Sequence, residues 1–127
     1  VPAASAAHDA WAALGIAAHV LVLTSSDRLG PAVQLRAGHG DASDSSFRGS
    51  DESVLDRLFA PARRAPIVTL LDGHPHTLAF LGGVTQMPIA CLGVSRFGQA
   101  GSLTDVYRYH RIDSVAVVEA ALDLLDA

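Results

Sequence analysis

The chain contains no lysine, because all nine of its basic residues are arginine. A Schiff-base lysine and the lysine of a phosphate-binding P-loop are therefore excluded. Its single cysteine, Cys91, stands inside an apolar run. No disulfide can form within the chain, and we expect a buried structural thiol in a reducing compartment.

Long apolar runs and clustered charges are also scarce. No run approaches the length of a membrane span, and the first residues lack the basic flank of a signal peptide, so we expect a cytoplasmic protein without a membrane partner. Only 17% of the residues are charged and the formal net charge is -4. Phosphate binding needs clustered cations, which argues against a nucleic-acid partner.

Half of the 127 residues are apolar, which is typical of one globular domain with its own core. The most informative stretch is residues 65–95, where two short apolar runs begin at Pro66 and Pro88. A Gly-containing segment that predicts a short helix separates them, with Gly82 and Gly83 at its end. This pattern predicts two consecutive parallel strands of an open α/β domain.

The remaining segments support an α/β pattern. An alanine-rich helix is predicted over residues 2–14, a largely buried strand over 16–24 and a weak helix over 27–37. Residues 38–53 are rich in Gly, Ser and Asp, which predicts a mobile surface loop. A short helix is expected over residues 50–59.

Two further helices have recognisable start signals. Ser102 is expected to cap one of them, with Asp105 placed to favour the amides of its first turn. Asp113 is expected to cap the last helix, over residues 114–125. One apolar face of that helix is predicted at Val115, Val118, Ala121, Leu122 and Leu125.

The order of these elements and a Leu-Gly-Val-x-x-Phe-Gly turn at residues 92–98 carry a resemblance to a known family. The chain resembles the C-terminal domain of the transketolases and of the dehydrogenase components of 2-oxoacid dehydrogenase complexes. Residues 15–29 are most similar to the bacterial homodimeric pyruvate dehydrogenase branch. The resemblance covers essentially the whole chain.

The resemblance implies a three-layer α/β/α open, mainly parallel sheet, with residues 1–127 as a single C-terminal domain. It also implies that the domain is incomplete at its N-terminus, lacking a strand that lies centrally in the family's sheet. In the family, thiamine diphosphate and Mg²⁺ are held by upstream domains, whose Gly-Asp-Gly-to-Asn motif and activating glutamate do not occur here. We therefore expect no cofactor in this chain itself.

The first candidate site follows the first predicted strand, at Asp72, His74 and His76. Ligands of open α/β sheets bind beyond the carboxyl ends of the strands. Two histidines and a carboxylate could ligate a metal, but a third and a fourth ligand are not evident. Capping of the strand and contact with another domain is the favoured interpretation.

The second candidate group follows the second strand, at Arg96, Phe97 and Gln99. Arg96 and Gln99 could bind an anion, or Arg96 could pair with Asp72. The favoured interpretation is an interface loop with Phe97 as its packed anchor. The single histidines His8, His19 and His110 are expected to be packed or exposed without a special role.

These observations predict an assembly domain that is catalytically inert alone. Its parent would be a homodimeric thiamine-diphosphate enzyme that decarboxylates a 2-oxoacid or transfers a ketol unit, and its partners would be the upstream domains of the same polypeptide. The alternative is a freestanding signalling or ligand-binding module that uses the Asp72 and His74 loop. A receiver-type phosphoryl acceptor also needs a lysine, which the chain lacks.

Overall fold

The computed structural model describes residues 1–36, 55, 57–60, 64–96, 98 and 100–127. These residues divide into two units, one formed by Val1–Val20 with Ala65–Ala127 and the other by Leu21–Arg64. The candidate site residues lie in the first unit. No helix in the described ranges combines the length and the apolar character that crossing a bilayer requires.

The first unit begins with helix α1, Pro2–Ala13, close to the predicted bounds. Proline suits the first helical turn, where its missing N–H would have no partner in any case. The helix ends before Gly15, whose φ of +75° belongs to the left-handed region that glycine adopts readily. Ala7 and Trp11 are its buried residues, whereas Leu14 is exposed.

Two parallel strands form the sheet of this unit, as the sequence predicted. Strand β1 is Ile67–Leu70, and strand β2 is Ile89–Leu92. Their residues pair in order from Ile67 with Ile89 to Leu70 with Leu92. The Ile67 N–H donates to the Pro88 carbonyl at 2.9 Å, which fixes the start of the ladder.

The connection between the strands is a 3-10 turn, Pro75–Leu78, followed by helix α3, Phe80–Thr85. The prediction that Gly82 and Gly83 end this helix is wrong, because α3 continues two residues further. Gly82 has a packing role instead. A Cβ at this position would lie 2.8 Å from Cγ2 of Ile89, so the absent side chain lets α3 approach β2 closely.

Helices α4, Leu103–His110, and α5, Ser114–Asp126, complete the unit, and both have the predicted caps. The Ser102 Oγ accepts from the Asp105 N–H at 3.2 Å and donates to Asp105 Oδ2 at 2.6 Å. Asp113 Oδ1 accepts from the Ala116 N–H at 3.0 Å. Each cap satisfies an amide that the first helical turn leaves without a partner.

The core of the first unit lies where α1, α5 and one face of the sheet meet. Ala7, Trp11 and Val117 form its buried centre. Partly buried apolar side chains pack around them, from Ile16, Ala18, Val68, Leu70, Leu92, Val118 and Ala121. This mixed helix and parallel-strand arrangement confirms the α/β class.

The predicted apolar face of α5 is only partly correct. Val118 and Ala121 pack against the core, but Ala116 and Val117 are the buried residues of the helix. Val115 and Leu125 are exposed. Apolar residues occupy most of the circumference of α5, so its contacts with α1 and the strands select the buried face, and a periodic pattern alone does not.

The predicted strand over residues 16–24 is wrong, since no residue of this segment is in a strand. The Ile16 N–H donates to the Trp11 carbonyl and so belongs to the turn that ends α1. Ile16 and Ala18 pack inward while Ala17 and His19 are exposed, which is the alternation of an extended chain. Within the described ranges, however, this backbone has no hydrogen-bonded neighbouring strand.

The second unit contains a 3-10 turn, Ser26–Arg28, and helix α2, Leu29–Arg36, within the predicted helical range. Among the described residues of this unit, the buried apolar ones are Leu29, Ala32 and Leu55. The predicted loop over residues 38–53 lies outside the described residues. Of the helix expected over residues 50–59, positions 55, 57, 58 and 59 are described; the first three are helical and Phe59 is in a bend.

Candidate functional site

The two predicted site loops lie side by side at the carboxyl ends of β1 and β2. Their backbones are joined directly, since the Val94 N–H donates to the Gly73 carbonyl at 2.7 Å. The Leu71 N–H donates to the Leu92 carbonyl at 3.2 Å just before them. The parallel ladder therefore continues into the loops, and the loops that contain Asp72 and Arg96 lie next to each other.

Gly93 is the closest point of contact between these loops. A Cβ on this residue would meet the Gly73 carbonyl oxygen and would lie 2.9 Å from the backbone nitrogen of Pro75. Both are backbone atoms, which cannot rotate away as a flexible side chain can. Gly93 is thus required by a backbone-to-backbone approach, and it holds the two loops together.

His74 and His76 are exposed and interact mainly with each other. His74 precedes the 3-10 turn, and its Nδ1 accepts a hydrogen bond from the His76 N–H at 3.3 Å. The two rings meet edge to face, with centroids 4.6 Å apart and planes at 72°. His74 therefore caps the 3-10 turn that follows it, whereas the contact with another domain stays a prediction.

Asp72 and Arg96 are also exposed, and they form no ion pair with each other in the described part of the chain. The Arg96 guanidinium instead lies 5.9 Å from the centre of the Tyr109 ring. A cation at this distance from an aromatic face is attracted by the ring quadrupole. Arg96 thereby connects the loop after β2 to helix α4.

Two residues of the second candidate group, Phe97 and Gln99, lie outside the described residues, so the anion site and the anchoring role predicted for them stay predictions. Within the described ranges, no three or more His, Cys, Asp or Glu side chains group closely enough to hold a metal ion.

The structure also brings together polar side chains at another place, which the sequence did not indicate as a site. An open cleft of about 280 Å³ lies between α1 and the segment after it. It is lined by Ser5, His8, Asp9, Ala18, His19 and Val20. His8 Nδ1 lies 3.5 Å from Asp9 Oδ1, so the pair is loose.

A geometric signal for this cleft was available. The chain turns at Gly15, seven residues after His8 and four before His19. Seven residues of helix rise about 10 Å, and four extended residues span about 13 Å, so two segments folded back on each other bring these positions level. The placement of His8 level with His19 follows from their distances to the turn at Gly15, not from either histidine alone.

Comparison of the chain with family models, with curated proteins and with solved structures found no match in any of the three.

Proposed function

We propose that this chain is the C-terminal assembly domain of a thiamine-diphosphate-dependent enzyme and is catalytically inert alone. The parent would be a cytoplasmic, homodimeric 2-oxoacid dehydrogenase component of the pyruvate dehydrogenase type, or a transketolase. The domain would support the upstream domains that hold thiamine diphosphate and Mg²⁺. Its complete fold would be a three-layer, mainly parallel open sheet.

The order of secondary structure supports this proposal. Within the first unit, helix α1 precedes two parallel strands joined through a helical connection, and two capped helices follow. The last of these, α5, packs on both strands and on α1. This is the arrangement expected when helices cover the face of a parallel sheet.

The observation that carries the proposal is the contrast between rigid loop backbones and exposed loop side chains. Gly93 and the Val94 hydrogen bond fix the two strand-end loops against each other. Asp72, His74 and Arg96 nevertheless remain exposed. A catalytic constellation needs side chains that converge on one point, whereas a docking surface needs a stable backbone that displays them outward.

Calorimetric titration of the purified chain with thiamine diphosphate and Mg²⁺ tests the proposal. We expect no saturable heat, because the diphosphate and metal ligands belong to other domains of the parent. Saturable binding with a micromolar Kd would contradict the proposed inertness. The Asp72→Ala/His74→Ala variant is the matched control, since heat that it abolishes would identify the strand-end loops as the binding site.

A second experiment separates the proposal from the alternative signalling function. If Asp72 were a phosphoryl acceptor, incubation with acetyl phosphate and Mg²⁺ would add one phosphoryl group to the intact mass of the wild-type chain. The Asp72→Ala variant would not gain this mass. We expect neither protein to gain it, because no lysine is present to stabilise the acyl phosphate.

A further inference from the structure

The β1–β2 pair has a second face, opposite the core. Val68, Leu70 and Leu92 pack toward the core cluster. Because alternate residues of a strand lie on opposite faces, Thr69 and Cys91 lie on the other side of the sheet. These two residues are register partners in the parallel ladder, so their side chains are neighbours on that face.

Thr69 is unusual because its hydroxyl is buried without a partner. The residue is only 5% exposed, and its Oγ has no hydrogen bond in the described part of the chain. Most buried side-chain polar atoms do have such a bond. Its neighbour Cys91 is a free, half-buried thiol, whose sulfur is a weak acceptor. The pair therefore combines a hydroxyl that donates no hydrogen bond with a neighbouring thiol that is a poor acceptor for one.

We propose that Cys91 is an oxidation site, at which a hydroperoxide converts the thiol to a sulfenic acid and Thr69 donates a hydrogen bond to the new oxygen. The deprotonated sulfur attacks one peroxide oxygen, so an S–O bond forms as the O–O bond breaks. The leaving oxygen takes up the proton that the thiol lost and departs as water or an alcohol. The sulfur loses two electrons and the peroxide gains them.

The product has two reasons to persist. Its oxygen is a much better acceptor than a thiol sulfur, so Thr69 gains the partner that it lacks in the reduced protein. The chain also has no second cysteine, and a sulfenic acid is normally consumed by condensing with another thiol. Partial burial of Cys91 hinders attack by a thiol from a second molecule. This inference does not depend on the proposed function.

The test is to treat the full chain with hydrogen peroxide, remove the oxidant and add dimedone after increasing delays, measuring the adduct by intact mass. We expect wild type to form one adduct and Cys91→Ser to form none. In Thr69→Val the sulfenic acid should decay about fivefold faster, the value of one net hydrogen bond of about 1 kcal/mol. Thr69→Ser, which keeps the hydroxyl, should restore the wild-type lifetime.

Thr104→Val is the matched control, because Thr104 is an exposed threonine on α4, outside the sheet. Its adduct should decay at the wild-type rate. The proposal is overturned if wild type gives no adduct at Cys91. It is equally overturned if Thr69→Val and wild type, both folded by circular dichroism, lose their adducts at the same rate.

Discussion

Residues 67–70 and residues 16–24 have similar compositions, yet they reach different structures. Both segments are rich in leucine and β-branched residues. The first is strand β1, with a parallel partner on a defined register. The second is neither helix nor strand and has no hydrogen-bonded neighbour in the described ranges. The difference shows that an apolar, β-branched composition is not sufficient for a strand, which also needs a partner that the local sequence does not specify.

The side chains of β1 are also more deeply buried than those of residues 16–24. In β1, Thr69 is buried and each of the other residues is half-buried. In residues 16–24, Ile16 and Ala18 pack against the core, but Val20, Leu21 and Val22 are exposed. The free energy of unfolding should therefore depend strongly on residues in and beside the paired strands and weakly on the unpaired segment.

The largest expected effect comes from closing the space between the strand-end loops. Gly93→Ala should lower the free energy of unfolding by about 3 kcal/mol or more, because the new Cβ meets the backbone of Gly73 and Pro75. Urea denaturation followed by circular dichroism measures this loss.

Gly83→Ala is the control for that substitution. Gly83 lies within α3, and a Cβ there meets nothing within 4 Å. We expect a gain of about 0.5–1 kcal/mol, since alanine favours the helix over glycine. Equal changes in the two variants would show that the loops do not approach each other as described.

A matched pair of valines tests the comparison directly. Val68, in β1, packs against the core, whereas Val22 is 58% exposed. Val68→Ala should cost about 1.5 kcal/mol through lost apolar burial, and Val22→Ala should stay within about 0.5 kcal/mol. Chemical denaturation of both variants gives the two values. A loss at Val22 as large as that at Val68 would mean that residues 16–24 are packed as a true strand.

The elements that the sequence predicted well are those with local causes. The caps formed by Ser102 and Asp113 lie within three residues of the amides that they satisfy. The strands β1 and β2 were correctly predicted because each is a short apolar run that follows a proline, and because a helical segment lies between them. Their adjacency then follows from the rule that consecutive parallel strands are usually neighbours.

The predictions that failed depend on contacts between distant residues. Gly82 looked like the end of a helix, but its role is to admit Ile89 of the next strand. The same applies to the candidate site. The contact of the loops could be inferred from parallel topology, whereas the position of Arg96 over Tyr109 depends on where α4 packs.

The smallest expected effect distinguishes two threonines, one from each of the compared segments. Thr69, in β1, is buried without a hydrogen-bond partner in the described residues, and Thr24 is exposed. Thr69→Val should raise the free energy of unfolding by about 1 kcal/mol, because a methyl group replaces a buried hydroxyl that gains nothing in the reduced protein. Thermal and urea unfolding under reducing conditions measure this gain.

Thr24→Val should change the free energy of unfolding by no more than about 0.5 kcal/mol. The exposed Thr24 hydroxyl of the wild-type chain bonds to water in the folded and in the unfolded state alike, so its removal affects both states equally. A loss in Thr69→Val would show that the hydroxyl is already bonded in the reduced protein and would remove the reason for assigning it to an oxygen on Cys91. If only Thr69→Val gains stability, the two segments differ in a second respect. Besides the pairing of its backbone, β1 then buries a hydroxyl away from water, whereas residues 16–24 leave theirs hydrated.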